Sequence, residues 1–201
     1  MEKLHFKSFK KEFADINKLK GEERALDLKY VTEYVKKKEG EVKYNLLLKK
    51  LKKIGFILPE INESDKMDWI PMKIPVFFVI ASAKFFNWNR QNIINMGRNF
   101  ITFSPLLKIF IKYFISPEKT LGSGAENWKK HYTLGELELV KYNEQEKEIV
   151  LHIKNFKTHP VDYIFIIGSL EKMGELSLGL KNIKGEGVQR DAYYEIIFHW
   201  N

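Results

Sequence analysis

Apolar positions recur at three- and four-residue spacing through the first two thirds of the chain and switch to every second residue after Gly135. Helices are therefore predicted first and strands afterwards. Glu22 to Lys38 places Leu26, Tyr30, Val31, Tyr34 and Val35 on one helical face, and a lysine-rich last turn before Gly40 stops it. A second helix runs from Val42 to Ile54, with Leu47, Leu51 and Ile54 inward, Leu48 beside them, and Gly55 closing it in the left-handed conformation. A helix-turn-helix would show this pattern, but so would the commoner helical bundle. Residues 56–73, with Pro59, Asn62, Ser64, Asp65 and Pro71, read as a connection. Pro75 suits the first position of a helix reaching Phe86, apolar nearly all round and so expected in the core. Asn89 to Ile101 carries Ile93, Met96, Gly97 and Phe100 on one face, where Gly97 permits close helix approach. Ser104-Pro105 and Ser116-Pro117 should each open a further helix, because Ser caps free N–H groups and Pro fixes the first helical dihedral. The second of these is interrupted by Gly122-Ser123-Gly124 before Trp128.

Strict alternation then marks Glu136 to Leu139 and Ile149 to Ile153 as half-buried strands, joined into a hairpin by Asn143 to Lys147. The segment VDYIFIIGSLEKMG could be a strand by composition, yet its Thr158 cap, early Asp162, late Lys172 and terminal Gly174 predict a helix. Leu176, Leu178 and Leu180 alternate as a third strand, and Gly185-Glu186-Gly187 is expected to turn the chain into a fourth, where Ala192, Tyr194, Ile196, Phe198 and Trp200 share a face. The expected class is α+β: a helical region over residues 1–133 packed on a four-stranded antiparallel sheet of ββαββ order over residues 134–201, as one compact unit.

Composition narrows the chemistry. At 201 residues and 44% apolar the chain can bury a core, which excludes a disordered or collagen-like protein. It has no Cys, so disulfides, thiolate zinc sites and cysteine nucleophiles are excluded. The first residues are too charged for a secretory signal and the longest apolar run, Pro75 to Ala83, is too short to span a membrane, which gives a cytoplasmic expectation. The net charge of +8 is uneven, since residues 1–130 hold 26 Lys/Arg against 15 Asp/Glu and the remainder 8 against 11. Lys36-Lys37-Lys38 and the run Lys49 to Lys53 are the densest clusters and could bind nucleic acid. Thirty of the 34 cations are Lys, however, whereas readers of phosphate and guanine favour the Arg fork, so solvated helix faces are the stronger reading.

Catalytic patterns are missing. The five His (His5, His131, His152, His159, His199) show no helical i,i+4 pair or compact ligand string, so no metal site is expected. His152 falls on the outward strand face, His159 belongs to a turn or cap, and His199 faces solvent. His131, close to Trp128, is the one candidate polar contact in a pocket. Neither glycine pair extends to a phosphate-binding motif, the acidic pairs Glu136/Glu138 and Glu144/Glu146 lie on an outer face or in a turn, and no Ser-His-Asp set can be proposed. Fifteen Phe, nine Tyr and four Trp are the one excess, which either fills a tight core or lines a cavity.

Four stretches resemble the heme-NO-binding (H-NOX-related) and 4-vinyl-reductase-domain superfamily, especially its heme-free bacterial branch: Leu48 to Phe56, Trp69-Ile70-Pro71, Asn89 to Phe100, and Asn127 to Val140. The closing stretch Gly185 to Trp200 is similar to that family's terminal hairpin, a glycine turn followed by an aromatic strand ending in Trp. The resemblance implies a sensor that holds a heme or a small apolar molecule between helices and sheet. Heme-binding relatives carry a proximal His on the helix matching Pro105 to Glu118, where this chain has none, and their propionate-gripping Tyr-Ser-Arg set has no match. Relatives with zinc use cysteines where this chain has Leu178 and Leu180. The resemblance thus implies no cofactor and no metal, with an apolar pocket at Phe110, Phe114, Trp128, His131, Tyr163 and Ile167. The expected function is a non-enzymatic sensor or binding protein for a small hydrophobic molecule, signalling through a protein partner or as a homodimer. The alternatives are a basic nucleic-acid-binding adaptor and a scaffold protein without a cavity.

Overall fold

The computed structural model describes Leu4, residues 6–103 and residues 124–201. Helix α1, Phe9–Ile16, was not foreseen; it starts where the Ser8 side chain accepts the Lys11 N–H and lays Ile16 into the core. A short strand β1, Glu22–Arg24, precedes α2, Ala25–Glu39, which ends at Gly40 with φ 85° as the lysine-rich turn predicted. Helix α3, Glu41–Lys52, follows directly, and Gly55 beyond it takes φ 84°. The predicted connection holds a second short strand, β2, Trp69–Pro71, antiparallel to β1. Helix α4, Lys73–Phe85, begins two residues before Pro75, and every residue from Pro75 to Ala83 is buried. Helix α5, Arg90–Phe103, follows, and α6, Gly124–His131, opens after the undescribed stretch. The helices predicted to open at Ser104-Pro105 and Ser116-Pro117 lie outside the described residues.

The second part is β3, Glu136–Asn143; β4, Glu148–Lys154; α7, Pro160–Ser177; β5, Lys184–Gln189; and β6, Tyr193–His199. All neighbours are antiparallel in the order β3-β4-β6-β5, so the ββαββ expectation holds in number and sense. Ile149, Leu151 and Ile153 face inward from β4, and the register sets Ile149 against Phe198 and Leu151 against Ile196.

Two strand assignments need correction. Leu176 and Ser177 still belong to α7, and Leu178 and Leu180 lie in the loop after it rather than in a strand. Gly174 is a packing position and not a stop: a Cβ there would meet Ile183 at 3.0 Å, while Glu175 is held to the Arg98 guanidinium of α5 at 2.5 Å. Likewise Gly185 and Gly187 are inside β5, and the chain turns at residues 190–192 instead. Their missing side chains leave slots for rings, since a Cβ at Gly185 would fall 2.5 Å from the Phe198 ring and one at Gly187 would overlap Tyr194.

Helices α5 and α7 touch backbone to backbone. A Cβ on Gly97 would run into the Phe165 carbonyl oxygen, and one on Gly168 into the Ile94 carbonyl oxygen. Sequence reasoning anticipated the first glycine and missed the second. One hydrophobic cluster runs without a break from Ile16 of α1 through α2, α4, α5 and α7 to Phe198 of β6.

Candidate ligand-binding cavity

Helix α7 crosses the sheet with Tyr163, Ile166 and Ile167 buried, and it also meets α5 through Gly168. Helices α5, α6 and α7 and the sheet leave a space between them. An apolar cavity of about 120 Å³ remains. Its helical walls are Phe100 and Ile101 of α5, Trp128 of α6, and Phe165, Ile166 and Leu170 of α7. Leu137, Ile149, Leu151 and Phe198 form the sheet side, and Met173, Leu178 and Ile183 complete the apolar lining.

The described lining also carries polar groups: Asp27, His131, Tyr132, Ser169 and Ser177. Asp27 in the first turn of α2 and His131 at the end of α6 both reach the wall, with Asp27 Oδ1 3.3 Å from His131 Nδ1. Burial pulls the imidazole down, but the Asp27 carboxylate and its hydrogen bond more than offset this, so His131 titrates above its usual range. Its ring is edge-on to Phe100 at 6.2 Å, which fixes its orientation. Tyr132 follows on the same wall, with its ring against Trp128 at 4.5 Å and Phe156 at 5.3 Å.

Of the expected pocket residues, Trp128 and His131 therefore stand on one wall, with the Trp128 indole N–H anchored on the Leu134 carbonyl at 2.8 Å. Phe110 and Phe114 lie outside the described residues. Tyr163 and Ile167 are buried away from the cavity walls. Tyr163 stacks on Tyr194 at 3.8 Å and donates its hydroxyl to the Phe156 carbonyl at 2.6 Å, and Ile167 fills the space beside Gly185. Periodicity alone could not separate these faces, because α7 is apolar nearly all round.

Sequence reasoning missed the buried acids, which besides Glu12 and Glu171 include three that push on one another electrostatically. Glu23, Asp27 and Asp162 are each 4% exposed, and only Asp27 and Asp162 gave a signal, as acids inside apolar runs, whereas Glu23 sits in the polar stretch Glu22-Glu23-Arg24. Burial pushes the Glu23 carboxyl well up, and Asp27 and Asp162 push it further. Burial also raises Asp162, to about 7, although the Thr158 hydroxyl donating at 2.8 Å opposes this.

The other histidines serve the framework. His159 is the N-cap of α7, accepting the Val161 N–H at 3.2 Å. His152 is on the outer face as expected but is not solvated: its side chain is 13% exposed, stacked on Tyr193 at 3.9 Å and 3.2 Å from Glu195. Among the described residues no group of three or more His, Cys, Asp or Glu could hold a metal ion, and no helix is long and apolar enough to cross a membrane. In the basic region, Lys36, Lys38 and Lys50 lie over the rings of Tyr44, Trp88 and Phe9 at 4.9, 5.6 and 4.9 Å.

No protein-family model and no curated protein sequence matches the chain. Solved structures do. An H-NOX protein from S. oneidensis in the Fe(II)NO ligation state superposes with a TM-score of 0.63 at 11% identity, covering 89% of this chain and 99% of that one. The Fe(II) unliganded H-NOX protein from K. algicida gives 0.60 at 12% identity, over 89% and 96%. A Cs H-NOX mutant carrying an unnatural 4-cyano-L-phenylalanine gives 0.61 at 14% identity over the same shares. The described walls do not fit a heme. The cavity of about 120 Å³ is smaller than the roughly 300–1,000 Å³ that holds a drug-sized ligand, let alone a porphyrin. With helices first, an antiparallel ββαββ sheet last and a hollow between them, the chain has the H-NOX-related α+β fold.

Proposed function

We propose that this protein is a heme-free, non-enzymatic binding protein that senses one small hydrophobic molecule and passes the signal through a partner or by self-association. The observation that carries this reading is the mostly apolar cavity between α5, α6, α7 and the sheet, with Asp27, His131, Tyr132, Ser169 and Ser177 as its described polar groups. An engineered cavity of about 150 Å³ lined by aliphatic and aromatic groups takes benzene or xenon, so this one suits a guest of about one ring. Burial of such a guest contributes about 25 cal/mol per Å² before association costs. The likeness to H-NOX structures supports a ligand-holding fold, and the mismatch with heme supports a different guest. No nucleophile–base pair stands on the described walls, which favours binding over turnover.

The test is titration of the purified chain with benzene, toluene and xenon, followed by chemical shifts of the Trp128 indole N–H and by thermal melting. Saturable shifts confined to residues around Trp128, Phe165 and Leu151 support the reading. A flat titration with all three overturns it. Adding hemin to the same sample should give no stoichiometric Soret complex, and a tight one would show the heme-free part to be wrong.

A further inference from the structure

Helix α3 turns apolar side chains and cations to solvent on the same face. It buries Tyr44, Leu47 and Leu51, so at about 3.6 residues per turn the pole opposite them carries Val42, Leu46, Lys49 and Lys53. Val42 is 78% exposed, Leu46 one turn on is 50% exposed, and Ile57 just past the helix is 76% exposed. The surrounding charge has one sign: Lys43, Lys49, Lys50, Lys52 and Lys53 stand on the helix and at its end, with Glu41 as the single acid of α3. Lys43 is 4.0 Å from Glu39 of α2 and Lys50 lies over the Phe9 ring. Lys49, Lys52 and Lys53 are exposed and make no ion pair with a described residue. Past the helix the same chemistry continues, because Ile57 lines an open cleft with Phe56, Ile74 and Lys73.

We infer that the outer face of α3 docks on an anionic lipid surface, with Val42, Leu46 and Ile57 entering the headgroup layer and Lys49, Lys52 and Lys53 on the anionic groups around them. This is independent of the cavity. The excess of cations calls for an anionic partner, and the apolar side chains among them select lipid. A fluid interface takes both kinds of group from one convex helix face without a matching shape. Lysine stems lie along the apolar layer while their ammonium groups stay at its polar boundary, so Lys and Leu on one pole act together. A nucleic-acid backbone would engage the cations but leave Val42, Leu46 and Ile57 in water. A second copy is the poorer match, because a two-fold interface sets identical patches, and so the same lysines, against each other. The mode is attachment to the surface, since no helix among the described residues is long and apolar enough to cross a membrane.

The test is co-sedimentation of the purified chain with phosphatidylcholine vesicles and with phosphatidylcholine vesicles containing about one third phosphatidylserine, at about 0.1 M salt. Binding at least about tenfold tighter to the anionic vesicles is expected, and it should weaken at about 0.5 M salt. Val42→Ser combined with Leu46→Ser should lose about tenfold on the anionic vesicles. Lys49→Glu combined with Lys53→Glu should remove the preference for them altogether. All four positions are exposed, so both double variants should melt with the parent chain. Failure to bind the anionic vesicles, equal binding to both vesicles, or a serine variant that binds as well as the parent would overturn the inference. Tight binding of a short duplex DNA that the serine variant keeps in full, with none to the vesicles, would assign the face to nucleic acid instead.

Discussion

Asp162 occupies the first turn of a helix, where an anion is welcome, yet burial holds its carboxyl up at about 7 instead of 3.8. The folded chain therefore binds a proton more tightly than the unfolded chain does. Stability from this group is complete below about pH 4 and is lost as the pH rises through about 7, a difference of at most about 4 kcal/mol. Glu23, pushed up by the same surroundings, acts in the same direction, while Thr158 donates to Asp162 and Asp27 repels it. Urea unfolding at pH 5 and pH 7.5 should find the protein less stable at the higher pH, and Asp162→Asn should flatten the difference. A steeper slope in the variant would contradict the assignment. These acids show how far single residues could be read: Asp162 was visible as a helix-start signal, but its burial against Glu23 and Asp27 depends on segments more than 130 positions away.

Between elements, the α5–α7 crossing controls the cavity, because Phe100 and Ile101 project from one helix and Phe165 and Ile166 from the other. The glycines at the crossing allow no Cβ, so Gly168→Ala must force the helices apart and should cost about 1–3 kcal/mol or more in urea unfolding. The same two helices are pinned by Arg98, whose guanidinium reaches Glu171 at 3.0 Å and Glu175 at 2.5 Å. The Glu171 side chain is 2% exposed and also accepts the Gly185 N–H at 3.0 Å, tying β5 to the helices. Arg98→Ala leaves that carboxylate buried and without its cation, which should cost about 3–5 kcal/mol. Adding Glu171→Gln to it should recover part of the loss. Gly97 was legible as a close-approach residue from its place on an apolar face. Gly168 was not, since a glycine inside an apolar helix looks the same whether or not a neighbour presses on it.

For the whole molecule, ligand binding and stability are linked. A guest at one hundred times its dissociation constant should stabilise the chain by about 2.7 kcal/mol, which for about 200 residues raises the melting temperature by roughly 5–10 °C. Leu170→Trp, which adds a ring to the α7 wall, should fill the space and abolish that shift without unfolding the protein. Retention of the full shift in this variant would place the guest elsewhere. The uneven charge has a molecular consequence too: part of the basic half is spent on the chain's own rings, where Lys36, Lys38 and Lys50 cover Tyr44, Trp88 and Phe9.

What the sequence determined by itself was local. Period 3.6 and period 2 mark where the backbone must coil or extend, Gly40 and Gly55 end helices because they alone take positive φ without strain, and alternation assigns the inner faces of β4 and β6. It misplaced the third strand because the alternation of Leu176, Leu178 and Leu180 is outweighed by the hold of Arg98 on Glu175 and the contact of Ile183 with Gly174. Only the tertiary structure decided that the helices and the sheet leave a hollow, that Trp128 and His131 meet there while Tyr163 and Ile167 do not, and that Asp27 of α2 is brought to its wall. The reason is that a cavity is a deficit of contact between distant segments, and no segment records in its own pattern what its neighbours fail to fill.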